Sequence, residues 1–202
     1  MSRRPKVTVL YEDARGPRTE FGLHRLVLSA VLDREGVSVP HYELAQALEH
    51  RCQKGVDQVL RCCREDLTDI ARDGRKVAVV VDEDVIRDKL RLPPSATLDE
   101  VAAKILAMCP ESVCSQVSVH VLARNTESVL KAARDCVKEH RLDSPTDEQI
   151  EQALRKDPLA RDQVLSGVAK DTHVKVRRCI ETKLPGLGKL VTWLAGIVTQ
   201  AA

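Results

Sequence analysis

Hydrophobic positions along this chain alternate between two rhythms. Val7-Thr8-Val9-Leu10-Tyr11 is apolar and β-branched, follows Pro5 and stops against Glu12-Asp13, which predicts a buried strand. After the turn at Gly16-Pro17, residues Phe21, Leu23, Leu26, Val27, Ala30 and Val31 recur at helical spacing until Gly36, predicting the first crossover helix. Gly36-Val37-Ser38-Val39-Pro40 reads as a short edge strand, because Pro40 cannot donate to a ladder. From Tyr42 to Arg72, apolar residues at Leu44, Leu48, Val56, Val59, Leu60, Cys63, Leu67 and Ile70 predict one or two helices, with Gly55 a break and Gly74 a stop.

Lys76-Val77-Ala78-Val79-Val80-Val81 is a near-continuous apolar run, the mark of a strand covered on both faces, and it ends in Asp82-Glu83-Asp84. Thr97-Leu98-Asp99-Glu100 has capping-box spacing and opens a helix to Met108. Val117 to Leu122 alternates as a third strand, and Thr126 to His140 has helical spacing. Another cap at Thr146, a break at Asp157-Pro158 and an interruption at Leu184-Pro185-Gly186 leave a tail of helices. Strands alternating with helices predict an α/β fold, a small parallel Rossmann-like sheet flanked by helices with a helical C-terminal cover. The expected division is an α/β domain over 1–142 and a helical extension over 143–202 packed on the same core.

Composition narrows the functions. The 202 residues are 43% hydrophobic and 31% charged, enough for a core, yet only four side chains are aromatic. Four rings do not furnish both a core and a base-stacking platform for single strands. A net charge of +2 and a pI near 8.2 lack the basic excess of a dedicated nucleic-acid binder. Seven irregularly spaced cysteines suggest reduced thiols in a cytoplasmic protein, and Cys62-Cys63 and Cys109 to Cys114 lack zinc-site spacing. The basic start at Arg3-Arg4 precedes too short an apolar stretch for a signal peptide, and no apolar run is long enough to span a membrane.

In a parallel sheet, function gathers at the carboxyl ends of the strands. Here those ends carry Glu12, then Asp82-Glu83-Asp84, then Asn125 and Glu127. Carboxylates brought together repel, and a hard divalent cation such as Mg²⁺ or Mn²⁺ relieves that repulsion through oxygen ligands. In extended chain, residues two apart point to one side, so Asp82 and Asp84 are expected to share an ion completed by Glu12. Arg15 and Arg18, in the loop after the first strand, suit phosphate oxygens. Lys131, one turn past Glu127, is a further candidate cation.

Glu12 after an N-terminal strand, followed by Val77-Ala78-Val79-Val80-Val81-Asp82-Glu83-Asp84, resembles the TOPRIM fold of type IA topoisomerases, bacterial primases and overcoming-lysogenization-defect nucleases. Val121 to Leu130, with Glu127, is similar to a segment of small TOPRIM-like proteins of bacterial defence and mobile-element operons. The resemblance covers residues 7–135. It implies metal-dependent cleavage or transfer of DNA or RNA phosphodiesters, with Glu12, Asp82 and Asp84 as Mg²⁺ ligands and Glu127 as an additional catalytic carboxylate. The family usually places Gly directly after its glutamate; Asp13 stands there instead, and an alternative alignment promotes Glu20. Two readings compete with the nuclease: a non-catalytic subunit that assembles with a protein partner such as an ATPase, and a phosphoacceptor domain using Asp82.

Overall fold

Four parallel strands build one sheet: β1 (Val7–Glu12), β2 (Leu48–Gln53), β3 (Lys76–Asp82) and β4 (Val117–Leu122), in the order β2-β1-β3-β4. This is an α/β fold with helices flanking an all-parallel sheet and a helical C-terminal region. The computed structural model describes residues 6–12, 21–122, 126–155 and 157–200. The helices among them are α1 (Gly22–Leu32), α2 (His41–Ala47), α3 (Val56–Glu65), α4 (Leu67–Ile70), α5 (Glu83–Lys89), α6 (Leu98–Leu106) and α7 (Thr126–Glu139). They continue with α8 (Asp147–Leu154), α9 (Pro158–Val168), α10 (Val174–Lys183) and α11 (Pro185–Thr199).

The chain forms two units that interleave in sequence instead of meeting at residue 142. One comprises Met1–Arg18 and Ala45–Asn125; the other comprises Thr19–Leu44 and Thr126–Ala202. The first holds the sheet. Every residue from Val7 to Tyr11 and from Val77 to Val81 is buried, as two-sided coverage of inner strands requires. Leu10, Val77, Val79 and Val81 share a core with Val59 and Leu60 of α3, Ile86 of α5, and Val101 and Ile105 of α6. The capping box that opens α6 is formed, with Thr97 accepting from the Glu100 backbone and the Glu100 side chain reaching back.

Two expectations about strands and helices fail. Residues 37–40 adopt no strand. The helical reading of 42–72 breaks at β2, which pairs with β1 from Val7↔Leu48 to Glu12↔Gln53. Only Leu48 of β2 is buried, so this edge strand shows no two-residue hydrophobic rhythm; pairing with β1, not side-chain pattern, makes it a strand.

The second unit is helical. α1 packs against α9 and α11, and α7 against α8 and α10. Thus the helix expected to cross over the sheet after β1 is a member of the helical unit. Gly22 lets α1 approach α9: its N–H donates to Asp162 Oδ1 at 3.2 Å, and a β-carbon there would stand 2.8 Å from the Asp162 carbonyl oxygen. Pro158 and Pro185 sit in the first turns of α9 and α11, where a missing N–H costs nothing. The fully thiol expectation is corrected as well: Cys136 and Cys179 form a disulfide, and five cysteines are free. Among the described residues, no helix is long and apolar enough to cross a membrane.

Candidate functional site

The connection from β1 leads to β2 on one side of the sheet, whereas β3 and β4 lie on the other. The strand order therefore reverses between β1 and β3, the kind of switch point at whose carboxyl ends parallel sheets carry their ligand sites. Glu12 ends β1 and Asp82 ends β3, so the switch point is acidic from both strands.

Glu12 is half-buried, and its Oε2 accepts the backbone N–H of Asp82 at 3.2 Å. Burial raises its carboxyl above the ordinary value, and the charges of Asp84 and Asp57 push the same way; the backbone N–H groups of Asp82 and Val56 oppose them. Val56 opens α3 and Asp82 immediately precedes α5, so one carboxylate serves two helix starts. Asp57, in the first turn of α3, was not foreseen as part of this cluster. Gly55, with φ 87°, followed by an acidic residue at a helix start was the signal available.

The geometry expected for Asp82-Glu83-Asp84 is overturned. Asp82 keeps extended backbone, with φ −84° and ψ 133°, but Glu83 and Asp84 already belong to α5. Side chains two apart no longer share a side once the chain turns helical. Asp84 is exposed and its Oδ1 accepts the Val85 N–H at 2.9 Å. Glu83 is held by Arg87 at 2.6 Å, and Asp57 by Lys89 at 2.8 Å. Basic side chains from α5 thus neutralise part of the cluster.

The donors are all carboxylate oxygens, which suits Mg²⁺ or Mn²⁺ in kind. Among the described residues, however, the group of three or more potential ligands with all atoms within 4.8 Å is Glu139, His140 and Cys179 of the helical unit, not Glu12, Asp82 and Asp84. A shared ion at the switch point requires the oxygens of Glu12, Asp82 and Asp84 to come closer together than they stand here. Glu127 is in the first turn of α7, paired with Arg161 at 3.0 Å, and Lys131 is exposed on the same helix. Both belong to the helical unit. Arg15, Arg18, Glu20 and Asn125 lie outside the described residues. Compared with family models, curated proteins and solved structures, the chain has no match.

Proposed function

We propose that the sheet unit cleaves nucleic-acid phosphodiesters with Mg²⁺ or Mn²⁺ at the β1/β3 switch point, as a TOPRIM-like nuclease of the kind used in phage defence or mobile elements. The observation that supports this reading is the bond from the Asp82 backbone N–H to the Glu12 carboxylate, which ties together the acidic ends of two adjacent parallel strands at the edge where such sheets carry their sites. Glu12, Asp82 and Asp84 would hold the ion. A bound divalent ion supplies charge neutralisation at phosphate and a more acidic water. The chain's own part is to present oxygen ligands from the ends of β1 and β3 and the first turn of α5. Arg87 and Lys89 keep Glu83 and Asp57 engaged, which limits how many negative charges face an incoming phosphate.

The test is cleavage of supercoiled DNA and of RNA by the full chain with Mg²⁺ or Mn²⁺, beside Asp82→Ala and Asp84→Ala. The nuclease reading expects metal-dependent cleavage by the wild type and its loss in Asp82→Ala; wild-type inactivity on every substrate sinks it. A second reading, a non-catalytic subunit working through a partner such as an ATPase, draws on Glu12's structural employment at two helix starts. It expects a stable complex with that partner unaffected by Asp82→Ala.

A further inference from the structure

We propose that Cys136, Cys179, His140 and Glu139 form a zinc site that becomes available when the Cys136–Cys179 disulfide is reduced. Cys136 and His140 are one helical turn apart at the end of α7, so their side chains lie on one face. The end of that helix is closed by a Schellman motif: Leu142 N–H donates to the Val137 carbonyl and Arg141 N–H to that of Lys138, each at 3.1 Å, with Arg141 at φ 53°. His140 is therefore held at a defined turn. α10 supplies Cys179, whose Cα lies 5.8 Å from that of Cys136.

The ligand atoms of Glu139, His140 and Cys179 already lie within 4.8 Å of one another. Cys136, bonded to Cys179, brings the fourth. Two thiolates, an imidazole and a carboxylate match the mixed sulfur and nitrogen preference of Zn²⁺ far better than that of Mg²⁺. In a tetrahedral site with Zn–S bonds of about 2.3 Å, the two sulfurs stand about 3.8 Å apart, a separation that only the reduced pair can take up. Three anionic ligands exceed the charge of the ion by one, and Lys183, whose Nζ is 3.5 Å from Glu139 Oε2, is placed to offset it.

The electrons come from a dithiol reductant. Its thiolate attacks the half-buried Cys179 sulfur, because Cys136 is fully buried; the disulfide bond breaks and Cys136 leaves as thiolate. The second reductant thiol then closes on the mixed disulfide and releases Cys179. The reductant departs oxidised by two electrons, its two protons pass to the cysteines, and zinc binding displaces them to solvent. The site is independent of Glu12 and Asp82 and of the nuclease reading.

The test uses the full chain, oxidised or reduced by a phosphine that is then removed. Zn²⁺ is titrated in competition with a chromophoric chelator, and Co²⁺ is used as an absorbing surrogate. The reduced chain is expected to bind one more Zn²⁺ than the oxidised chain and to show thiolate-to-cobalt charge transfer. Five other cysteines are free, so the thiolate band alone does not locate the ion. His140→Ala does: affinity is expected to fall at least about tenfold, no less than loss of a supporting partner costs at metal sites. Cys179→Ser, at a half-buried position, is expected to abolish the additional site. Equal zinc uptake in both redox states, no uptake after reduction, or unchanged affinity in His140→Ala overturns the proposal.

Discussion

Glu12 Oε2 accepts the backbone N–H of Asp82 at 3.2 Å, tying the end of β1 to the start of α5. Removing that acceptor leaves part-buried donors unsatisfied, a loss of about 1–3 kcal/mol. Glu12→Ala is therefore expected to lower unfolding stability by that amount in urea denaturation. Glu12→Gln retains a carbonyl acceptor and removes the repulsion from Asp84 and Asp57, so its stability is expected to stay within about 1 kcal/mol of wild type. Equal losses in both variants would show that the charge, not the hydrogen bond, matters there.

Glu181 makes the stability of the helical unit pH-dependent. Burial pushes its carboxyl from 4.5 up to about 7, against the attraction of Arg34, which is bonded to it. Between those values the folded chain binds more protons than the unfolded chain, so stability falls as pH rises. The contribution is fully present below pH 4.5 and lost above about pH 7. Its size is at most about 3 kcal/mol. Glu12, raised in the same direction, adds to the trend. Denaturation at several pH values is expected to show a smaller decline for Glu181→Gln than for wild type; parallel curves would contradict the assignment.

Arg177, only 2% exposed, grips Asp33 with two bonds of 2.6 and 2.8 Å and donates to the Val168 carbonyl at 3.0 Å. Breaking a buried pair by deleting one partner strands the other charge, at a cost of about 3–5 kcal/mol. Arg177→Ala is expected to lose that much in chemical denaturation. Arg177→Lys is also expected to be destabilised, because an ammonium lacks the planar fork that meets both carboxylate oxygens.

Gly22 and Gly196 predict opposite outcomes for one substitution. At Gly22 an added β-carbon collides with the Asp162 backbone of α9, and Ala is expected to cost about 1–3 kcal/mol. At Gly196, inside α11, nothing lies within 4 Å of the added carbon. There Ala removes a helix penalty of about 1 kcal/mol and is expected to raise the melting temperature.

The inner strands were legible from sequence because their burial on both faces writes itself as a near-continuous apolar, β-branched run, Val7 to Tyr11 and Val77 to Val81. The cap at Thr97 was legible for a similar reason, since its hydrogen bonds join residues three apart. Glu12 and Asp82 were found as strand ends by the same token. What Asp84 does was misread, because an acidic triplet after a strand does not announce that its second residue starts a helix. β2 was missed because Glu49, His50 and Gln53 have no buried face to report.

Local segments of this chain thus carried their own instructions wherever one face, or two, had to leave water. Tertiary structure alone decided the relationships that depend on distant partners: the edge strand that exists through β1, the disulfide between residues 43 apart, and the assignment of α1 to the helical unit. Hydrophobic periodicity encodes which side of an element is buried, but not which other element buries it.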